Sequence, residues 1–155
     1  MITHPIEPFY DGFSTVLILG SFPSVASRQS GFFYGHKQNR FWQVLASVFD
    51  QPVPQSLEQK KELLKKHNIA LWDVIASCEI TGSADSTIQN VTPNDLSVIL
   101  NNSRVERIFL NGKKAYQLYN KHLSRFGDAE CLPSTSPANA AWSLQRLIEA
   151  WSIIK

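Results

Sequence analysis

The run Val16-Leu17-Ile18-Leu19 holds no polar residue, stops at Gly20, and leads into the small-residue loop Ser21-Phe22-Pro23-Ser24. A strand with apolar side chains on both faces belongs inside a parallel sheet covered on both sides. Strands are predicted over 15–20, 69–75, 105–111 and 129–132, with helices over 39–50, 56–67, 93–102, 113–126 and 138–153. Such alternation of strands and helices defines an α/β fold with a parallel sheet between two helical layers. Open sheets of this kind bind ligands beyond the carboxyl ends of their strands. The loops after residues 20, 73, 111 and 132 are therefore the places to look for chemistry.

A chain of 155 residues is read as one domain spanning 1–155. Its net charge of +2 permits a nucleic-acid partner without arguing for one. No apolar stretch reaches membrane-spanning length, and Met-Ile-Thr-His-Pro lacks a signal-peptide pattern. Cys78 and Cys131 form no CxxC motif, so free thiols in a reducing, cytoplasmic setting are expected. The four histidines are scattered, and the sequence carries no zinc-deaminase signature, no GxxxxGK[ST] loop and no GxSxG elbow. Neither metal nor cofactor is expected. Leu144, Leu147, Ile148 and Trp151 recur at helical spacing, which makes Trp142 and Trp151 core anchors. Lys60, Lys61, Lys65 and Lys66 read as the solvated face of a helix that buries Leu63 and Leu64. Residues 79–92 read as a loop.

The richest segment for chemistry is Gly31-Phe-Phe-Tyr-Gly-His-Lys-Gln-Asn-Arg-Phe-Trp42. Aromatic faces, cations and amides are the materials for holding a nucleobase and its phosphates. Phe32 and Phe33 are expected to pack into the core, while His36, Lys37 and Arg40 either meet phosphates or stand as exposed polar groups. Asn39, at a predicted helix start, is either an N-cap or a functional amide. Asp73 ends the second strand and is an acceptor for a base N–H, a helix cap or the partner of a neighbouring Arg in a salt bridge. Asn111 reads a base, caps the next helix or braces the first loop. In Leu132-Pro-Ser-Thr-Ser-Pro-Ala-Asn139, hydroxyls and backbone N–H groups gather at a strand end, as suits a phosphate.

These three segments, Gly20–Ser24, Tyr34–Trp42 and Leu132–Asn139, occur in an order that resembles the uracil-DNA glycosylase superfamily. The resemblance is closest to the branch that removes hypoxanthine from DNA, with similarity to the mismatch-specific branch. It implies a three-layer α/β/α sandwich with a four-stranded parallel sheet of order 2-1-3-4, acting as a monomer. It also implies a monofunctional glycosylase that hydrolyses the N-glycosidic bond of a flipped, deaminated base in DNA. Hypoxanthine is the expected base, followed by uracil or thymine in mismatches. Asn39 matches the branch's catalytic Asn, its carbonyl orienting a water. Gly20, Ser21, Phe22, Tyr34, Asp73 and Asn111 are expected around the base, with Tyr34 stacking on it. Ser24, Lys37, Ser134 and Ser136 are expected on the DNA backbone, and Asn139 in the duplex gap. The sequence departs from the superfamily at Phe22, where the best-known branch has a water-activating Asp, and at Leu132, where many members have His. Those departures keep open a catalytically silent protein that binds DNA or a damaged base.

Overall fold

The computed structural model describes residues 1–155. In chain order the strands and helices are β1 (Ile2–Thr3), β2 (Val16–Gly20), α1 (Val25–Ser30), α2 (Phe41–Val48) and α3 (Leu57–Lys66). There follow β3 (Ile69–Asp73), β4 (Ile75–Glu79), β5 (Gln89–Pro93) and α4 (Ser97–Leu100). The chain closes with β6 (Arg107–Asn111), α5 (Lys113–His122), β7 (Glu130–Leu132) and α6 (Leu144–Trp151).

Strands β3-β2-β6-β7 form a parallel sheet, so the four predicted strands lie in the expected order 2-1-3-4. All five residues of β2 and all five of β3 are buried, as all-apolar strands require. Register pairs Gly20 with Asp73 and Asn111 with Leu132. Four functional candidates or their neighbours thus end level along one sheet edge.

A second, antiparallel sheet of order β1-β4-β5 corrects the reading of residues 79–92 as loop. Only the connection between Glu79 and Gln89 is irregular, and it holds a 3₁₀ turn at Asp85–Thr87. Strand β5 reads Gln-Asn-Val-Thr-Pro, a polar edge strand that ends in proline, and such strands carry little hydrophobic signal. The predicted strand 69–75 breaks at Val74, where the chain leaves one sheet for the other.

Helix boundaries shift for identifiable reasons. Helix α6 begins at Leu144 because the Ser143 hydroxyl accepts the Arg146 N–H, leaving 138–142 as loop. Leu144 is consequently exposed, whereas Leu147 and Trp151 are buried. The predicted helix 93–102 contracts to Ser97–Leu100 because Asn94 is spent bridging the carbonyls of Asp73 and Ile75. Helix α1 was not expected, and Ser24 caps it by accepting the Ser27 N–H. Trp151 is fully buried, with its indole N–H donated to the Pro133 carbonyl. Trp142 is half-buried beneath the Arg146 guanidinium. Lys60 and Lys61 are only partly solvated, lying over the rings of Trp42 and Phe32. Cys78 is buried, Cys131 exposed, and both are free.

Candidate active site

The carboxyl edge of the parallel sheet opens into a cavity of about 320 Å³, at the small end of ligand pockets. Gly20 sits at its floor, and its missing side chain has a specific cause. A Cβ there would stand 2.5 Å from Asp73 Oδ1 and 3.3 Å from the Tyr34 hydroxyl. The space belongs to two side chains of the site.

Asp73 is buried, and its other oxygen is taken. His4 Nε2 lies 2.7 Å from Asp73 Oδ2, with side-chain exposures of 3% and 5% for the two residues. His4 Nδ1 accepts the Ile6 N–H, so the ring proton sits on Nε2 and is donated to Asp73. That leaves Oδ1 as the carboxylate's unbonded acceptor, facing Gly20 and the cavity. Asp73 thus neither caps a helix nor pairs with a neighbouring Arg; its partner is a histidine 69 residues away.

Asn39 is fixed by two donors, one from its own segment and one from the loop after β7. Its Oδ1 accepts the Phe41 N–H at 3.0 Å and the Thr135 hydroxyl at 2.8 Å. Thr135 in turn accepts Asn111 Nδ2 on its hydroxyl and donates its N–H to Asn111 Oδ1. The Arg40 N–H closes the ring on the Thr135 carbonyl. An amide oxygen has two lone pairs, and both are used. Since Phe41 N–H is a fixed donor, the amide orientation follows from chemistry rather than choice. The Asn39 carbonyl is therefore unavailable to orient a water, which corrects the expectation from sequence. Asn39 does satisfy an N–H of the first helical turn, but the residue at the cap position is Arg40. Its NH₂ is the end left for the cavity, which Asn39 lines. Asn111 braces the loop after β7 through Thr135, and not the first loop as one of its three readings had it.

Tyr34 has a left-handed backbone (φ 55°) and stacks one face on Phe41, centroids 4.0 Å apart. Its hydroxyl is buried without a hydrogen-bond partner of good geometry. Burial, reinforced by the Asp73 charge and opposed by Asn111, pushes the phenol well above its ordinary range, so it stays a neutral donor. Phe33 lines the cavity and Phe32 is buried beside it, as expected of that pair.

Gly20, Ser21, Phe22, Ser24, Tyr34, Asn39, Asp73, Asn111, Ser134 and Ser136 all line this one cavity. Two predicted residues do not. Lys37 is exposed outside it, and Asn139 folds back to donate to the Ser134 carbonyl. Asn139 thus braces its own loop in this structure and is not presented as a probe of the duplex. Arg40 is spent likewise: its guanidinium donates to the carbonyls of Ser136, Asn139 and Trp142. The hydroxyls of Ser134 and Ser136 accept the N–H groups of Ser136 and Ala138, which leaves their own protons free at the rim.

Three residues escaped the sequence reading. Thr135 lay inside a segment already singled out, and its complete burial marks it as the hub. His4 carried no signal, being one isolated histidine beside the N-terminus. Asp85 sat in a stretch read as loop. It stands at the exposed rim with its carboxyl turned inward, accepting the Ser21 hydroxyl at 2.9 Å. Burial pushes that carboxyl above its ordinary value, the Asp73 charge adds to the rise, and Ser21 and Lys114 oppose it.

The sequence profile of the uracil DNA glycosylase superfamily matches residues 7–155. Two curated relatives are similar over nearly their full lengths, both called hypoxanthine DNA glycosylase. The one from Methanosarcina acetivorans is 33% identical over 157 residues, covering 99% of this chain and 98% of its own. The one from Methanosarcina barkeri is 30% identical over 148 residues, covering 94% and 92%. The solution NMR structure of a candidate uracil DNA glycosylase from Methanosarcina acetivorans superposes with a TM-score of 0.84. It shares 32% identity and covers 99% of this chain and 97% of that one. The chain belongs to the uracil DNA glycosylase superfamily. Within that class it is a DNA glycosylase, an enzyme that hydrolyses N-glycosidic bonds.

Proposed function

We propose that the protein excises hypoxanthine from DNA, with uracil or thymine in mismatches as further substrates, by drawing the damaged nucleotide out of the duplex into the cavity. The observation that carries the reading is the state of Asp73. One carboxylate oxygen is held by His4 and the other faces the cavity as an acceptor without a donor. Hypoxanthine offers N1–H and uracil N3–H, whereas adenine presents a lone pair at N1. An acceptor facing an acceptor leaves both unpaired, at a cost of about 1–3 kcal/mol. The two relatives named for hypoxanthine point the same way.

In this reading the extruded base lies against the free face of Tyr34 with its lactam edge toward Asp73. Gly20, Ser21, Phe22 and Asn111 complete the walls. The Asn39 NH₂ is the catalytic amide, a donor to oxygen atoms of the reacting centre. Ser24, Lys37, Ser134 and Ser136 meet the flanking phosphates, with Ser134 and Ser136 donating their free protons. The bond breaks through a dissociative, oxocarbenium-like transition state that the site stabilises more than the ground state.

Duplexes carrying a single inosine, uracil, thymine or adenine at one position test the proposal. Excision is read as strand scission after alkali, under single-turnover conditions. Inosine is expected to react fastest and adenine not at all. Equal rates on inosine and adenine would overturn the role of Asp73. Binding without scission on every duplex would overturn the enzymatic reading of this site.

A further inference from the structure

We infer that Asp85 takes the proton of the attacking water, an inference that rests on the hydrolysis proposed above. Water attack needs an acceptor at the reacting centre, and most of those at this cavity are already engaged. The Asn39 oxygen holds two donors, and the Asn111 oxygen holds the Thr135 N–H. One oxygen of Asp73 is bound to His4, and the other is the acceptor assigned to the base edge. His36, at the rim, accepts the Gln38 N–H on Nδ1, so its neutral ring presents an N–H and not a lone pair. Phe22, on the strand-end loop, offers no polar atom.

Asp85 is the remaining carboxylate. Its Oδ1 accepts the Ser21 hydroxyl at 2.9 Å, which brings it to the loop beside Phe22 and leaves Oδ2 without a protein partner. The hairpin that carries it is pinned to α1 at two points. The Ser83 hydroxyl accepts the Val25 N–H, and the Gly82 carbonyl accepts Arg28 Nη2. A side chain anchored in this way keeps its geometry before substrate arrives, which is what a positioned base requires. The charged groups that act on it are Asp73 and Lys114, and burial outweighs both in setting its proton affinity.

The step balances without a co-reactant. The glycosidic bond breaks with its electron pair staying on the base. The water oxygen bonds to C1′, and its proton passes to Asp85. The departing base is then protonated, either by Asp85 or by solvent, and an abasic sugar remains.

The test compares wild type with Asp85→Asn and Asp85→Ala on an inosine duplex, in single turnover. Asp85→Asn is expected to slow excision roughly 10²–10⁴-fold while duplex affinity stays within a few-fold. The wild-type rate should fall as pH drops through the raised Asp85 value, and that acid limb should vanish in Asp85→Asn. Added formate should restore part of the Asp85→Ala rate and leave wild type unchanged. Wild-type excision with an Asp85→Asn rate within threefold overturns the inference. So does a slow Asp85→Ala that formate does not rescue, because the carboxylate would then be structural. A wild type inert on all damaged duplexes would instead sink the hydrolysis reading itself.

Discussion

The cavity has two walls built in different ways. One is made by the ends of β2, β3 and β6 with the loop after β7, where Gly20, Asp73, Asn111, Asn39 and Thr135 meet. The other comes from the β4–β5 hairpin, which delivers Asp85, and is backed by the N-terminal segment, whose His4 holds Asp73 without lining the cavity. In the first wall most polar atoms are satisfied by one another, so the wall is rigid and its free atoms are few and specific. In the second, each residue reaches across and engages one group of the first. The comparison teaches that the strand-end motifs build the frame, while the small sheet decides which atoms of that frame remain available to substrate.

The largest effect should come from Asn39. Replacement by Ala removes both the proposed donor and the anchor for Thr135, and excision should fall at least about 100-fold. Asn39→Asp sharpens the point, because it keeps an oxygen for Phe41 N–H and the Thr135 hydroxyl but loses the NH₂. Near-normal single-turnover rates in Asn39→Asp would move the function of Asn39 from donor to brace. Next comes Arg40→Met, which removes three charged hydrogen bonds to loop carbonyls. Thermal unfolding should register a loss of about 1.5–3 kcal/mol, and an unchanged Tm would show that the first wall does not need its clamp.

Asp73→Asn crosses the boundary between the walls. Its amide offers His4 and the base one donor and one acceptor in place of two acceptors, so discrimination against adenine should weaken by about 1–3 kcal/mol. His4→Phe should give a partial copy of that defect and His4→Gln a partial rescue, read as inosine-to-adenine rate ratios. Parallel losses on every substrate would mean that the His4–Asp73 pair braces the site without reading the base. The smallest effect is reserved for Tyr34. Tyr34→Ala should lose roughly 1–3 kcal/mol of binding, whereas Tyr34→Phe keeps the stacking face and should bind nearly as wild type. A large defect in Tyr34→Phe would shift the contact from the ring to its buried hydroxyl.

The same division between walls explains what could be read from the chain. Strands β2, β3 and β6 are legible because burial on both faces forces uninterrupted apolar runs, and their ends then locate Asp73 and Asn111. Eight more of the cavity's residues were identifiable because they sit in three compact segments. The small sheet is another matter. Strand β1 is two residues long and β5 is a polar edge strand, so neither leaves a periodic trace. His4 meets Asp73 across 69 residues of sequence, a pairing that no local pattern encodes. The status of Asn39 was likewise hidden, since its oxygen is filled by a threonine 96 residues away.

Thr135 has a consequence for how the protein breathes. It lies in a loop of no regular structure, yet it is completely buried. Its amide, carbonyl and hydroxyl are all paired, with Asn111, Arg40 and Asn39. Loop amides ordinarily trade their hydrogens for deuterium through small openings that cost little free energy. This one can do so only when the ends of β6 and α2 come apart with the loop. The Thr135 amide should therefore persist in deuterated solvent as long as amides of the central strand, an island of slow exchange flanked by fast-exchanging neighbours.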